Sequence, residues 1–542
     1  MTASTTVPTT ASLPTEVDAV VIGAGPNGLV AANALADAGW DVLLLEANDE
    51  PGGAVRSAEV TRPGFSTDLF SAFYPLAAAS RVIRDLDLES HGLRWVHAPQ
   101  VLGHALDDGR ATVLCRTVED TAVGLDVFAP GDGERWIDMF EHWQRIRDPL
   151  LDALFTPLPP VKAGLRLLSR LRAPGTLDLA RLLVMPVRRL AEERFRGDGA
   201  KLLLTGNALH ADIPPQAAGS GMFGWLLSML GQDVGFPVPQ GGAGSLAASM
   251  ANRFTSTGGV LATRRRVTAI ETSGGRAVGV RTEDGTLVRA RRGVLADVDA
   301  PTLYRDLVGL DRLPSGVAEQ MAQFQWDHAT FKVNWALAGK VPWVNMDVAG
   351  AGTVHLGVDV DGFVDFSNDL TLGRAPRRPF ILFGQMSTAD STRSPAGTES
   401  AWAYSHLPRG WDWTRELVDE QVTRFEETVE EVAPGFRDFI LARHVQSPVD
   451  LEAADSNLVG GALNGGTAYP HQQAVFRPFT GTGRPETPLP GLFLASASAH
   501  PGGGVHGACG WNAARAALTS SGPAGSVKRS LNRTVWRRLL PG

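Results

Sequence analysis

The sequence predicts an α/β fold: a discontinuous Rossmann-type dinucleotide-binding domain with an interleaved α+β domain of sheet plus helices. Three observations carry this expectation. A glycine fingerprint sits between an apolar strand and a small-residue helix near the N-terminus. Strand-forming segments return after residue 236. A glycine-rich strand-to-helix turn lies near the C-terminus.

The fingerprint is Asp18-Ala-Val-Val-Ile-Gly23-Ala24-Gly25-Pro26-Asn27-Gly28, followed by an alanine-rich helical pattern over 29–38. Gly23 permits the tight turn, Gly25 lets backbone approach a pyrophosphate, and Gly28 lets helix pack on strand. The free N–H groups and positive dipole end of the helix favour phosphate. A second apolar run, 41–45, ends on Glu46, about 20 residues on, where a carboxylate accepts hydrogen bonds from an adenosine ribose. Next comes Pro51-Gly52-Gly53-Ala54-Val-Arg56. A flavoprotein of the glutathione-reductase type needs this turn for close passage of backbone past its cofactor, whereas a nicotinamide dehydrogenase does not.

Residues 1–16 are rich in Thr, Ser, Ala and Pro without an apolar core, and read as a disordered tail, not a secretory signal. The dinucleotide domain is expected over 17–101, 236–300 and 446–522, the substrate domain over 102–235 and 301–445, and a basic amphipathic tail over 523–542. Phe70, Phe73 and Tyr74 line a pocket or belong to the core; their spacing fits both. Residues 86–117 alternate as strands do, and 134–196 are helical, with Trp136, Phe140, Trp143 and Ile146 on one face. Within 162–189, leucines alternate with Arg166, Arg170, Arg172, Arg181, Arg188 and Arg189 around a single acid, Asp178. That pattern fits a helix pair on an anionic membrane or a solvated surface helix. The glycines at 241, 242 and 244 have no strand before them, so they are not read as a second nucleotide site, and a dedicated NADPH domain is missing. Strands at 331–337 and 380–386 and an acidic helix over 413–432 complete the second domain. The tail carries Leu531, Val535 and Leu539 on one stripe, with Lys528, Arg529, Arg533, Arg537 and Arg538 around it.

The 542 residues exceed what one core holds. With a net charge of −8, nothing suggests a nucleic-acid surface. Cys115 and Cys509 are the only cysteines, so a dithiol, a cysteine zinc site and a disulfide framework are all excluded. No metal site is expected. Two lone thiols fit a reducing, cytoplasmic compartment, and no run of eighteen apolar residues would span a membrane.

The last informative segment runs from Gly491 through His500-Pro-Gly-Gly503-Gly504-Val505-His506-Gly507 to Arg515: a strand, a glycine turn and a small-residue helix. Small residues let a flat object lie against such a helix. Its positive N-terminus, aimed at a flavin's N1–C2=O edge, would stabilise the anion left by hydride uptake.

These motifs, with Pro239-Gln-Gly241-Gly242-x-Gly244-x-Leu246, resemble the phytoene desaturase-like FAD-dependent oxidoreductases, which include carotenoid desaturases, carotenoid isomerases and retinol saturases. Asn464-Gly-Gly466 and His500-Pro-Gly-Gly-Gly504 carry a finer resemblance to the branch called pyridine nucleotide-disulphide oxidoreductase domain-containing protein 2. The chain lacks the dithiol that name suggests. The resemblance implies FAD held by Gly23, Ala24, Gly25, Pro26, Asn27 and Gly28, by Glu46 and Ala47, and by Gly52, Gly53, Ala54 and Arg56. Backbone near Val267 would meet the adenine, and Gly503, Gly504, Val505 and His506 the isoalloxazine. Many relatives carry Arg directly after the glycine pair; this chain has Ala54 there.

The implied activity is desaturation, saturation or isomerisation of carbon–carbon bonds in an apolar, isoprenoid or polyunsaturated lipid-like substrate, by hydride transfer with flavin N5. His500 and His506 flank the turn and are the candidate acid or base, or structural residues bonded to backbone. Two alternatives stand beside this reading: an amine-oxidase-type enzyme acting on C–N bonds, and a flavin-bearing protein of binding or assembly role. The chain is expected to be a monomer or homodimer, cytoplasmic, with peripheral membrane contact through its Arg-rich helices.

Overall fold

In the computed structural model, which describes residues 12–540 except 482, 524, 526–531, 533 and 537, two seven-stranded sheets divide the chain. The first has the order Val267–Ser273, Arg276–Thr282, Leu287–Ala296, Glu16–Ile22, Val42–Leu45, Val260–Ala262. The strand Leu287–Ala296 serves two ladders. Its first half closes the antiparallel meander, and its apolar second half runs parallel to Glu16–Ile22 on one side and Leu492–Leu494 on the other. Register aligns Ile22, Leu45, Ala262, Ala296 and Leu494 across five parallel strands. The residues that follow them, Gly23, Glu46, Asp297 and Ala495 among them, therefore form one row at the carboxyl edge, where open α/β sheets bind ligands.

Both faces of this sheet are covered, as parallel strands require. Helices Pro26–Asp37, Ala243–Ser256 and Ala508–Ser521 bury one face; Leu303, Tyr304, Phe479, Trp536 and Leu540 bury the other. A side chain at Gly28 would run into the Gly23 carbonyl, and one at Gly510 into Asn27. The small-residue face of the C-terminal helix is thus occupied by the first helix, and only its N-terminus remains for a ring.

The second sheet has the order Ile440–Gln446, Ala329–Leu337, Glu399–Leu407, Ile381–Gln385, Ala351–Leu356, Gln100–Ala105, Ala111–Leu114. One face packs through Phe331, Val333, Trp335 and Phe383 on helix Arg415–Val432. A helical lobe from residues 118–234, centred on Trp136 and Trp143, stands over the other side.

Several expectations are corrected. Residues 88–91 form a helical turn, so the strands begin only at Trp95. A two-residue strand, Val238–Pro239, does precede the middle glycines. The helix after them is still no nucleotide site, because Asp68 Oδ1 and Ser57 Oγ accept its Ala243 and Gly244 N–H groups. The tail is ordered earlier than expected, Thr15 already accepting a bond from Arg289 N–H. At the other end Trp536 and Leu540 are buried, while Val535 and Leu539 are exposed. Leu531, Lys528, Arg529, Arg533 and Arg537 lie outside the described residues, as do residues 1–11. The basic segment 162–189 finds acids from elsewhere: Arg166 pairs with Asp152, Arg181 and Arg189 with Glu193, and Arg188 with Glu192 and Asp361.

Candidate active site

Strand alternation builds the site's wall. In Thr330-Phe-Lys332-Val-Asn334-Trp the apolar residues face the helix, and the polar ones face inward under the helical lobe. Cross-strand pairing puts Tyr404 beside Lys332, and Trp402 beside Asn334. Thr330, Lys332, Thr353, Trp402 and Tyr404 line a cavity of about 610 Å³ that extends to Gly25, Pro26, Asn27, Gly53, Ala54 and Gly503–His506. Phe70, Phe73 and Tyr74 line it too, so the aromatic stretch serves the pocket, and Tyr74 the core as well.

Lys332 was not singled out in the sequence. Its ammonium donates to the Asp68 and Phe70 carbonyls and lies 5.5 Å from the Trp402 ring centroid. Burial pulls its pKa down to about 7, aided by Arg393 and opposed by Asp68. An amine that changes charge near neutrality inside a cavity suits proton handling.

At the other end the glycine turn is assembled from distant segments. Glu46 accepts the Ala24 N–H at 2.7 Å and the Asn48 N–H at 2.8 Å. Arg265 N–H donates to the Glu46 carbonyl, so the chain approaching Val267 passes this edge. Gly52 N–H donates to the Ala24 carbonyl, and a side chain at Gly53 would press on Gly25. Arg56, which the resemblance places on the cofactor, is otherwise engaged: it donates to the Gly53 and Ala454 carbonyls and lies over Phe70. It therefore fixes the turn. Glu46, Ala47, Arg56 and Val267 stand behind the cavity wall, not on it.

Two acids missed in the sequence stand here. Asp297 accepts the Gly28 N–H at 2.8 Å, and Asp455 lies beside Gly53. Burial pushes Asp297 up to about 8, opposed by the Gly28 bond and aided by Asp455 and Glu46. Burial also raises Glu46 and Asp455.

The two halves of the branch-specific motif meet. A side chain at Gly503 would collide with Asn464, and one at Gly465 with Ala497. Arg477, fully buried, donates to the Thr467 and Ala497 carbonyls and holds these segments together. His500 Nε2 faces the Thr156 carbonyl at 3.1 Å. His506 is pinned at both nitrogens, Nε2 toward the Gly502 carbonyl and Nδ1 accepting the Ala508 N–H, with its ring stacked on Phe155. Burial brings both histidines down to about 4. They are neutral and bonded to backbone, so the geometry favours their structural role over acid–base work.

The residues fit FAD. The glycine turn leaves no Cβ in the cradle, the helix N-terminus points to it, and Asn27 Oδ1 is buried without a partner among the described residues. Gly23–Gly28 would hold the diphosphate, Glu46 the adenosine ribose, and Gly503–Val505 the ring.

Fold and site together define an FAD-dependent oxidoreductase. The chain belongs to the family of flavin containing amine oxidoreductases, whose profile matches residues 27–518. Its relatives include pyridine nucleotide-disulfide oxidoreductase domain-containing protein 2 of Mus musculus, 28% identical over 92% of this chain and 93% of that one. They also include a neurosporene-forming phytoene desaturase of Rhodobacter capsulatus, 24% identical over 90% and 91%. The phytoene desaturase-like resemblance read from the motifs therefore holds. Among solved structures, cyclohexylamine oxidase from Brevibacterium oxydans shares the fold, with a TM-score of 0.56, 17% identity, and coverage of 95% of this chain and 100% of that one.

Proposed function

We propose that this oxidoreductase acts on carbon–carbon bonds of an apolar, isoprenoid or polyunsaturated lipid-like substrate. The observation that carries the reading is the make-up of the cavity wall. Beside the C-terminal glycine turn it is formed by Leu76, Leu154 and Phe155, and beyond it by Phe73, Met222, Phe223, Leu226 and Leu227. Its lining carboxylates, Asp297, Asp299 and Asp455, lie at or next to the cofactor end. An ammonium ion entering the apolar part would meet Lys332 and no counter-charge among the described residues. The curated relatives named as phytoene desaturases support the same class. Bound FAD would supply the hydride-exchanging centre. The apolar walls would orient a flexible chain and exclude water, and Lys332 would hold or release a proton at Nζ.

The test is anaerobic reduction of the FAD-loaded protein, followed by flavin absorbance. An unsaturated isoprenoid such as phytoene is expected to bleach the flavin of a desaturase, while putrescine, benzylamine and NADPH leave it oxidised. NADPH bleaching would point to a saturase or a reductively activated isomerase. Bleaching by an amine, with peroxide formed on admitting air, would establish the C–N reading, which the fold shared with cyclohexylamine oxidase keeps relevant. A flavin reduced by none of these would favour a binding or assembly role.

Delivery of such a substrate is proposed to involve a membrane surface. The segment Val161–Leu182, two helices meeting at a break at Arg172, buries Leu167 and Leu171 but exposes Leu165, Leu168 and Leu177, and Leu183 and Val184 after it are exposed as well. Leu183 also lines the cavity. Among the described residues no helix is long and apolar enough to cross a membrane. With four of its six arginines paired, the segment would bind mainly through its leucines. Sedimentation with phosphatidylglycerol vesicles should persist in high salt and fall several-fold for Leu165→Ser with Leu168→Ser. Salt-eluted binding that ignores those leucines would contradict this.

A further inference from the structure

Four histidines outside the sequence motifs stand along the inward face of the second sheet and the end of the helix above it. The strand pairing sets His355 beside His104, and His210 closes helix Asp198–Leu209 directly above. His210 Nε2 and His355 Nε2 are 2.6 Å apart. His104 Nε2 bonds the Val358 carbonyl, and His406 lies 3.9 Å from Asp212. Of these four, His210 lines the cavity.

Two neutral imidazole nitrogens at 2.6 Å share one hydrogen, and which ring owns it decides what the cavity sees. Burial holds His210 down to about 3 and His355 well below its ordinary value, with His406 and His210 respectively adding to the effect. Both rings are therefore neutral. If His210 owned the shared hydrogen, His355 would carry its own hydrogen on Nδ1. That atom is buried and has no partner among the described residues. It also faces Gly206 so closely that a Cβ there would strike it, so an N–H would be driven against the glycine α-hydrogen. A bare Nδ1 lone pair instead receives that C–H as a weak hydrogen bond. The favourable arrangement is His355 donating through Nε2–H and His210 accepting through Nε2. The His210 hydrogen then stands on Nδ1, which has no bonded partner among the described residues, on a side chain that lines the cavity.

We propose that His210 is a fixed hydrogen-bond donor that reads an oxygen acceptor, such as a carbonyl, on an otherwise apolar substrate, so that the preferred substrates are oxygenated apolar compounds and not bare hydrocarbons. Tyr404, on the same wall, presents a hydroxyl with no bonded partner among the described residues, and suits the same oxygen. The inference rests on the apolar-substrate reading above and narrows it.

The experiment compares two ligands on the oxidised, FAD-loaded protein: geranylacetone, an isoprenoid ketone, and the hydrocarbon of the same skeleton. Affinity is read from the perturbation of flavin absorbance. The ketone should bind about 10-fold more tightly, the size of one well-formed hydrogen bond in a closed site. His210→Leu should bring the two ligands within about twofold, and His210→Asn, which keeps a donor near Nδ1, should restore part of the gap. Nitrogen-15 spectra of histidine-labelled protein, assigned with His210→Asn, should show His210 protonated at Nδ1. Equal affinity for the two ligands, or a His210 with bare Nδ1, overturns the proposal. Ketone preference in a protein whose flavin no unsaturated compound reduces would keep the donor and sink the carbon–carbon redox reading. Flavin reduction without ketone preference would sink the donor alone.

Discussion

Asp68→Ala is expected to cost about 3–5 kcal/mol of stability, because it leaves a buried guanidinium without its counter-charge. Asp68 and Arg393 are both fully buried and stand 2.8 Å apart. Asp68 Oδ1 also accepts the Ala243 N–H at 2.8 Å, at the positive end of helix Ala243–Ser256, and the Ser57 hydroxyl at 2.7 Å. The alanine variant strands both donors and leaves the guanidinium without its counter-charge. Since the Asp68 and Phe70 carbonyls hold Lys332, any shift of this turn also moves this buried amine of the cavity wall. The loss should appear in urea unfolding of cofactor-free and FAD-loaded protein alike. Asp68→Ala with Arg393→Met should recover part of it, because no unpaired charge then remains buried. A loss below about 1 kcal/mol, the level of an exposed pair, would show that Arg393 finds other compensation.

What could be read from the chain was local. Gly23, Gly25, Gly28 and Glu46 announce themselves within one strand, turn, helix and strand, and the structure sets them at one sheet edge. Asp297 escaped because its partner, Gly28, lies 269 residues away. A signal existed all the same: the apolar second half of strand Leu287–Ala296 runs into this acid, at the edge where ligands bind. The alternation in Thr330-Phe-Lys332-Val-Asn334 was also visible, yet alternation alone does not say whether the polar face meets water or a cavity roof. For the arginines of 162–189 the sequence offered Asp178 as the only nearby acid, whereas their partners come from 152, 192, 193 and 361. His500 and His506 flank the glycine turn in the sequence, but their bonds to the backbone at 156, 502 and 508 are tertiary facts that no spacing encodes.

The acid in the phosphate cradle gives the site a pH dependence whose sign is fixed by its environment. An ordinary aspartic acid titrates near 3.9, and burial carries Asp297 up to about 8. The folded chain therefore holds this proton more tightly than the unfolded one. Its contribution to stability is complete below about pH 4 and is lost as pH rises through about 8. A diphosphate placed on the same helix N-terminus adds negative charge and pushes Asp297, Asp455 and Glu46 further up. FAD binding should then take up a proton, and affinity should fall up to about tenfold per pH unit once Asp297 ionises. Asp297→Asn keeps an oxygen for the Gly28 N–H but cannot ionise. It is expected to stabilise the cofactor-free protein at pH 8 by on the order of 2–5 kcal/mol, a range set below the full linkage value because the surroundings relax around a buried charge. It should also flatten the FAD dissociation constant between about pH 7 and 9, measured by quenching of free-flavin fluorescence. If the asparagine variant kept the original pH profile, the titrating group would have to be sought in Asp455 or Glu46, and Asp297 would hold only the turn.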